Sequence, residues 1–276
     1  MAVLYVVGTP IGNLGDFSPR AAEILETVDF IAAEDTRVTW KLLNHLGIKK
    51  PMVSYYEHNL RERGQLIAGR ILAGESCAVV SDAGMPCISD PGEDLVRLCA
   101  GQGIEIYVIP GPSAAVSALA VSGLSTSRFT FEGFLSMNRG NRKEHLASLK
   151  REFRTMVFYE APHKLLTTLQ DFEETFGGDR ALSVCRELTK IHEQVIRTTV
   201  KGALDHFSEN APKGEFVLVL EGAPAEKEKA YTLKEAVLLA KERMAAGSRA
   251  TDASREAAKE TGFSKAEIYR LLVQKE

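Results

Sequence analysis

Short clusters rich in polar residues, Gly and Pro carry the side chains of this sequence that could do chemistry. Two of them contain paired carboxyl groups, EDTR at residues 34–37 and SDAGMPCISDPG at residues 81–92. In EDTR, Glu34 or Asp35 could accept a proton from a reacting group, and Arg37 could hold a phosphate. The other clusters are GTPIGN at residues 8–13, EHN at residues 57–59 and PGPSA at residues 110–114.

Each cluster follows a short apolar segment that is typical of a buried strand. These segments are VLYVV, VDFIAA, MVSYY, CAVVS and IEIYVI, at residues 3–7, 28–33, 52–56, 77–81 and 104–109. Because stretches of helical periodicity separate them, the pattern predicts βαβ units and a largely parallel sheet. Ligands of such sheets bind at the carboxyl ends of the strands. We therefore expect the five clusters to form one site, although any one of them alone would be explained as a tight turn.

The SDAGMPCISDPG cluster is too long and too polar to be a simple turn. Its backbone could line a flat, polar ligand such as a nucleoside, with Asp82 or Asp90 accepting a hydrogen bond from the ligand. Asp90 has a second interpretation, because the sequence Asp-Pro-Gly-Glu is typical of a helix start. In that case Asp90 caps a helix that begins at Pro91.

The pattern of apolar segments changes after residue 124. The next hundred residues contain five β-rich segments but only two stretches of helical character, at residues 137–153 and 163–176. This favours an N-terminal α/β domain with a parallel sheet over residues 1–124. A second α/β domain with a mixed or antiparallel sheet is predicted over residues 125–224.

A linker and a small helical domain are predicted for residues 225–276. The charged stretch APAEKEKA, at residues 223–230, is typical of a linker. Helical periodicity then predicts three helices, near residues 232–245, 249–260 and 264–274. Ser264 and Glu267 predict a capping box at the last helix, so the final two helices resemble a helix-turn-helix unit. Such a unit could bind nucleic acid or pack against a partner.

The composition is that of a globular protein without bulk positive charge. The formal net charge of the 276 residues is -3, and no apolar run approaches the ~20 residues that cross a bilayer. The four cysteines lack C-x-x-C spacing, which favours reduced thiols in a cytoplasmic protein and no metal site. We expect no membrane partner, and any contact with nucleic acid requires a local basic patch.

One such concentration of positive charge lies between Met137 and Arg154. The basic residues there are Arg139, Arg142, Lys143, Lys150, Arg151 and Arg154, against the acids Glu144 and Glu152. This segment could neutralise phosphates of a nucleic acid. The alternative is a solvated amphipathic helix with no ligand.

Taken in order along the chain, eight motifs resemble one known family. They are GTPIGNLGD, AAEDTR, SDAGMPCISDPG, IPGPSA, FEGF, YEAPHK, RELTKIHE and GEFVLVLEG. They resemble the ribosomal RNA small subunit methyltransferase I family, within the tetrapyrrole methylase superfamily, from about residue 4 to residue 222. The resemblance implies two α/β domains of the tetrapyrrole methylase type and a C-terminal helical domain.

The same resemblance implies an activity and its partners. The expected reaction is S-adenosylmethionine-dependent methylation of the ribose 2′-hydroxyl of a cytidine in small-subunit ribosomal RNA. The substrate would be naked RNA or an assembled 30S subunit, and the enzyme a homodimer that binds its donor between the two α/β domains. The alternatives are methylation of a small molecule such as a tetrapyrrole, and a non-catalytic nucleotide-binding regulator that uses the helical tail on DNA.

The resemblance also implies which residues form the donor site. They are Pro10, Asp82, Ala83, Gly84, Met85, Ile88, Asp90, Ser113, Ala114, Leu188 and Pro224. Met85 stands where the family usually has threonine, which argues against a required hydroxyl group at that position.

A ribose hydroxyl is a weak acid, so a positioned base should assist its attack on the methyl group. We expect Glu34 or Asp35 to be this base and Arg37 to hold an RNA phosphate. The alternative is that Asp35 or Thr36 caps the following helix and Arg37 pairs with a nearby acid. Further candidates for acid or base chemistry are Glu57, His58, Glu160, Lys190 and His192.

Overall fold

The chain folds into two compact units, Met1–Ala223 and Pro224–Glu276. The computed structural model describes residues 2–224 and 231–273. Two five-stranded sheets lie in the first unit, and three helices lie in the described part of the second. The predicted α/β class with a C-terminal helical part is therefore confirmed.

The N-terminal sheet is wholly parallel, as predicted. Its strands are β1 (Val3–Val7), β2 (Phe30–Ala33), β3 (Met52–Ser54), β4 (Ser76–Val80) and β5 (Glu105–Ile109). They pair in the order β3-β2-β4-β1-β5, and every pairing is parallel. The carboxyl ends of all five strands consequently meet at one edge of the sheet.

Five helices follow these strands along the chain. They are α1 (Pro19–Thr27), α2 (Thr36–His45), α3 (Leu60–Leu72), α4 (Glu93–Gly101) and α5 (Ala114–Ser122). The start of α1 shows how local sequence fixes a helix end. The Ser18 side chain accepts a hydrogen bond from the Ala21 N–H, and Pro19 occupies the first helical position, where no N–H is needed.

The predicted start of α4 is wrong. The helix begins at Glu93 rather than at Pro91, and the residue before it is Gly92, not Asp90. The physical reason is the loop backbone, because Ser89 and Gly92 have φ angles of 64° and 135°, which a helix cannot contain. Asp90 is therefore not a helix cap, and its side chain is available for another role.

The second sheet is mixed, as predicted. Its strands are β6 (Phe129–Phe134), β7 (Thr155–Glu160), β8 (Ala181–Arg186), β9 (Gln194–Thr199) and β10 (Phe216–Leu220). They pair in the order β6-β7-β10-β8-β9. The β6–β7 pairing is parallel, and the other three are antiparallel.

Three helices flank this sheet, one more than predicted. They are α6 (Arg139–Ser148), α7 (Leu165–Phe176) and α8 (Val200–Glu209). Helix α8 was not predicted because it follows β9 directly, with no intervening turn residue. Its N-cap is Thr199, which accepts a hydrogen bond from the Gly202 N–H, and its apolar face includes Leu204 and Phe207.

Helix α5 joins the two sheets into one unit. It follows the last strand of the N-terminal sheet, but Ala118 and Leu119 pack with Val157, Val217 and Val219 of the second sheet. The opposite face of the second sheet is covered by α6, α7 and α8, in a separate core that includes Phe158 and Phe172. Both faces of the three central strands are thus buried, which explains the nearly continuous apolar sequence of β10.

The C-terminal unit is a three-helix cluster. Its helices are α9 (Leu233–Ala245), α10 (Ala250–Thr261) and α11 (Lys265–Val273), packed through small side chains such as Ala240 and Ala257 around Ile268. The capping box lies at Thr232 and Glu235, whereas Ser264 accepts only a bond from the Ala266 N–H. The predicted linker at 225–230 lies outside the described residues. None of the helices in the two described ranges is long and apolar enough to span a bilayer.

Candidate active site

A cavity of about 400 Å³ lies at the carboxyl ends of the N-terminal strands and faces the second sheet. A volume of this size is within the range for small-molecule sites. Ten of the residues predicted for the site line it: Glu34, Asp82, Ala83, Gly84, Met85, Ile88, Asp90, Ser113, Ala114 and Leu188. The clusters after β2, β4 and β5 therefore meet, as their shared position after parallel strands predicts.

Four predicted site residues are not among the described residues that line this cavity. Pro10 is adjacent to Ile11, which does line it, whereas Asp35 and Arg37 follow Glu34 along the chain and lie outside the lining. Pro224 begins the second compact unit. A role for any of the four in binding the donor or the substrate stays a prediction.

Backbone pairing holds two of the loops together at the cavity. Thr9 N–H donates to the Gly84 carbonyl at 2.8 Å, and Gly84 N–H donates back to the Thr9 carbonyl at 3.1 Å. Thr9 Oγ1 adds a bond to the Ser81 carbonyl at 3.2 Å. The GTPIGN loop therefore holds the SDAGMPCISDPG loop in position at the cavity.

Gly8 permits a close contact between the loops after β1 and β5. A Cβ atom on Gly8 would lie 2.7 Å from Gly111 Cα and 2.7 Å from Met85 Sδ. No side chain fits at that distance, so the loop after β5 can approach only because both residues are glycine.

Replacing Gly8 by Ala is expected to lower the free energy of unfolding by about 1–3 kcal/mol, because the added methyl group overpacks the contact with Gly111. The measurement is chemical denaturation of the purified variant. The control is Gly69→Ala in α3, where nothing lies within 4 Å of the new Cβ. That variant should be unchanged or slightly more stable. Equal stability of the two variants would contradict the close contact.

Three carboxyl groups, those of Glu34, Asp82 and Asp90, line the cavity, and two of them are linked through the backbone. Glu34 Oε2 accepts a hydrogen bond from Asp82 N–H at 3.3 Å, and Asp82 Oδ1 accepts one from Asp35 N–H at 3.0 Å. Burial raises the pKa of Glu34 and of Asp82. Burial, assisted by the nearby Glu34 charge, raises the pKa of Asp90 to about 6. The cavity therefore concentrates negative charge on groups that can also take up a proton.

Asp35 and Arg37 form a local pair outside the cavity. The Asp35 carboxylate accepts bonds from Arg37 N–H at 2.8 Å and from Arg37 Nη2 at 2.6 Å, and it caps α2. This hydrogen bonding to Arg37 lowers the pKa of Asp35 to about 2. The interpretation of Asp35 as a helix cap and of Arg37 as its partner is thus confirmed. A carboxylate held at so low a pKa is a weak base at neutral pH.

The other acid and base candidates are bound to protein groups or lie elsewhere. Glu160 lines the cavity but is buried, and it accepts bonds from Thr168 Oγ1 at 2.5 Å and Ala161 N–H at 2.8 Å. Lys190 Nζ donates to Glu187 and Glu215, at 2.9 Å each. Glu57, His58 and His192 are not among the described residues that line the cavity. Of the residues predicted as bases, Glu34 lines the cavity and is held there by one backbone N–H bond.

The second sheet contributes cavity residues that sequence reasoning did not find. The most informative of them are Phe134 and Tyr159, on β6 and β7, and Phe216 and Val217, on β10. The motifs FEGF and YEAPHK contain the first two, but a sequence does not show which face of a strand meets another sheet. The Tyr159 hydroxyl accepts a bond from Ala115 N–H at 3.1 Å, so it also anchors the start of α5.

The basic segment between Met137 and Arg154 is largely paired within the protein. Arg142 Nε lies 2.6 Å from Asp171, Lys143 Nζ lies 2.9 Å from Glu174, and Arg154 Nη2 lies 2.6 Å from Glu152. Those three cations are already neutralised by partners on α7 or within the segment itself. Strong phosphate binding by this segment as a whole is therefore not favoured.

The residues that the structure describes contain no cluster of His, Cys, Asp and Glu suited to a metal ion. All four cysteines, Cys77, Cys87, Cys99 and Cys185, are free thiols. Burial raises the pKa of the half-buried Cys87, which lies beside the cavity, to about 11. A thiolate nucleophile or ligand is thus not favoured there.

The fold and its cavity define the tetrapyrrole methylase class. The family model for Tetrapyrrole (Corrin/Porphyrin) Methylases matches residues 3–204. Among solved structures, uroporphyrin-III-C-methyltransferase from Thermus thermophilus is similar, with a TM-score of 0.57 and 19% identity over 79% of this chain and 94% of that one. The methyltransferase CobJ gives a TM-score of 0.61 and 17% identity over 80% of this chain and 94% of its own. At these identities the likeness concerns the fold alone.

Relatives at higher sequence identity show which family within this class the chain belongs to. The Synechocystis protein named "Ribosomal RNA small subunit methyltransferase I" is 49% identical over 100% of this chain and 99% of its own. The Thermotoga maritima protein of the same name is 50% identical over 80% of this chain and 99% of its own length. This chain belongs to the ribosomal RNA small subunit methyltransferase I family, as its motifs indicate.

Proposed function

We propose that this protein uses S-adenosylmethionine to methylate small-subunit ribosomal RNA, at the ribose 2′-hydroxyl of a cytidine. RNA is proposed as the substrate because this chain is 43–50% identical to proteins that bear the ribosomal RNA methyltransferase name. The choice of the 2′-hydroxyl and of cytidine rests on the resemblance of the motifs. Glu34 in the cavity is the group of this chain that such a reaction would use as a base.

The cavity suits S-adenosylmethionine in size and charge. The donor carries a positive sulfonium, and Asp82 and Asp90 place negative charge in the cavity lining. Ile11, Met85 and Leu188 provide an apolar surface for a nucleoside. When bound, the donor supplies an activated methyl group. The protein's contribution is to hold that group in line with the incoming oxygen.

Glu34 is the base that this proposal requires. It lines the cavity, its pKa is raised by burial, and Asp82 N–H fixes one of its oxygens. The other oxygen can accept the proton of a ribose hydroxyl during attack. Asp35 was the alternative candidate, but its bonds to Arg37 keep its pKa near 2.

An assay with a labelled donor tests the proposal directly. Assembled small subunits, naked ribosomal RNA and a tetrapyrrole precursor are offered separately to the purified protein, and the product is mapped by mass spectrometry. Methyl transfer to the ribose of a cytidine in either RNA sample supports the proposal. Transfer to the tetrapyrrole alone, transfer to a base rather than a ribose, or no transfer to any of the three would contradict it.

We expect a cytoplasmic homodimer as the working form. The free thiols of all four cysteines agree with a reducing compartment. A second copy could cover the edge strand β5, because Tyr107 and Val108 are 46% and 54% exposed there. Apolar side chains on a sheet edge favour association over solvent exposure.

Deleting residues 225–276 is expected to weaken, but not abolish, methylation of the ribosomal substrate. The cavity and both sheets lie in the first compact unit, so donor affinity should be unchanged. The Thermotoga maritima relative matches only 80% of this chain yet 99% of its own length, so a protein of this name can lack about a fifth of the chain. The measurement is kcat and KM for small subunits, and an unchanged KM would exclude substrate docking by the tail.

A further inference from the structure

Strand β6 contains an irregularity that changes where its last side chain points. Phe131 pairs with Val157 of β7, and the next paired residues are Gly133 with Phe158 and Phe134 with Tyr159. From Phe131 to Phe134, β6 therefore has one residue more than the stretch of β7 with which it pairs, Val157 to Tyr159. Gly133 has a φ angle of 62°, in the left-handed region that glycine adopts readily. This arrangement is a β-bulge, a device that commonly re-aims a side chain near a site.

The bulge places Phe131 and Phe134 on the same face of the sheet. Side chains three residues apart in a regular strand point to opposite faces. Here both phenylalanine rings contact the ring of Tyr159, with centroid distances of 5.0 Å and 5.5 Å. Phe131 packs against the buried core around α5, whereas Phe134 lines the cavity and is 56% exposed.

The ring of Tyr159, which Phe134 contacts, is anchored to a neighbouring helix. Tyr159 is half-buried, and its hydroxyl is fixed by Ala115 N–H at the start of α5. A Cβ atom on Gly133 would lie 3.3 Å from Ser89 Oγ, so the bulge also sits close against the loop between β4 and α4. The protein therefore holds the Phe134 ring against the cavity with more than half of its surface exposed. Phenylalanine side chains are usually buried.

We propose that Phe134 is a stacking residue for the nucleobase of the RNA nucleotide whose ribose enters the cavity. This inference rests on the proposed function. Single-stranded RNA is commonly bound by stacking its bases on exposed aromatic rings, and stacking tolerates any base. The adenine of the donor is the competing occupant, and a change in donor affinity on replacing Phe134 would identify it. Phe134 is 56% exposed, so its ring can also face a base of a substrate that extends into solvent.

The test compares two phenylalanines of one strand. Phe129 is also on β6 and is 41% exposed, but it is not among the described residues that line the cavity. Phe134→Leu should lower kcat/KM for RNA by about 5- to 100-fold, chiefly through KM, because the stacking surface is lost. Phe129→Leu, which makes the same chemical change on the same strand, should leave kcat/KM for RNA unchanged.

Two further measurements separate stacking from a structural role. Phe134→Trp should retain kcat/KM for RNA, because the indole preserves an aromatic face. Calorimetric affinity for S-adenosylmethionine should be the same in both Phe134 variants as in the unmodified protein. A loss of donor affinity in Phe134→Leu would overturn the inference by assigning the ring to the donor or to the framework of the cavity.

The inference and the proposed function fail in different ways. If the unmodified protein methylates RNA and Phe134→Leu behaves as Phe129→Leu does, only the stacking role is overturned. If the unmodified protein methylates a tetrapyrrole precursor and no RNA, the proposed function and the stacking role are both overturned. A loss specific to RNA in Phe134→Leu, with rescue by Phe134→Trp, supports both.

Discussion

Replacing Glu34 by Gln should lower kcat for methyl transfer by about 100- to 10,000-fold, the usual contribution of a positioned base. Glutamine has nearly the same shape and can still accept a hydrogen bond from Asp82 N–H, so the cavity should keep its form. It cannot, however, take up the proton that the attacking hydroxyl must lose. Donor affinity, measured by calorimetry, should change far less than kcat.

The dependence of this rate on pH supplies a second readout. A base must be ionised to act, so the rate should rise as the pH rises through the pKa of Glu34, which burial raises from its ordinary value. Asp90, whose pKa is about 6, lies in the same cavity, so its protonation also affects the rate at acidic pH. Glu34→Gln should remove the contribution of Glu34 to the pH dependence of the rate. Any effect of Asp90 ionisation on donor affinity should remain.

Asp35→Asn is the matched control for this experiment. It removes the neighbouring carboxylate, which caps α2 and pairs with Arg37 outside the cavity. We expect it to lower stability only slightly, since asparagine is itself a good cap, and to change kcat little. If Asp35→Asn lost activity and Glu34→Gln kept it, the roles assigned to these two carboxyl groups would be reversed.

The sequence was sufficient to predict the frame of the site because that frame depends on local rules. Apolar segments separated by helices predict parallel strands, and parallel strands bring the residues that follow them to one edge. Glu34 and Asp82 lie 48 residues apart in sequence, yet they follow the adjacent parallel strands β2 and β4 and meet in a hydrogen bond. Caps such as Ser18 are equally local, because the side chain bonds within the same turn.

Features that depend on another sheet or on loop conformation could not be predicted in this way. Tyr159 and Phe134 reach the cavity because of how β7 packs under α5 and because of a bulge in β6, and neither leaves a periodic pattern. The wrong helix start at Asp90 has a similar cause. The sequence around Asp90 satisfies the capping rule, but the positive φ angles of Ser89 and Gly92 place the chain in a loop.

The partners of charged side chains could not be predicted either, because the number of basic residues in a segment does not show which acids they contact. Arg142 and Lys143 are neighbours in a basic segment, but their acids, Asp171 and Glu174, lie on a helix that is distant in sequence. The two pairs differ in exposure. The Arg142 and Asp171 side chains are 14% and 10% exposed, whereas those of Lys143 and Glu174 are 44% and 65% exposed. Burial therefore determines which pair contributes to stability.

Asp171→Ala is accordingly expected to lower the free energy of unfolding by about 3 kcal/mol, because it leaves the Arg142 guanidinium nearly buried without a counter-charge. In a thermal melt the midpoint should fall by roughly 5 to 10 °C for a chain of this size. The matched control is Glu174→Ala on the same helix, which should cost less than about 1 kcal/mol because its pair with Lys143 is exposed.

A double variant separates the buried charge from the loss of packing. If Arg142 is replaced by Met in the Asp171→Leu background, no charge is left behind, and the stability lost in Asp171→Ala should be largely recovered. A double variant as unstable as Asp171→Ala would instead assign the loss to packing against α6. Equal melting midpoints for Asp171→Ala and Glu174→Ala would show that burial does not distinguish the two pairs. Arg142 would then be as available to an RNA phosphate as its place in the basic segment first indicated.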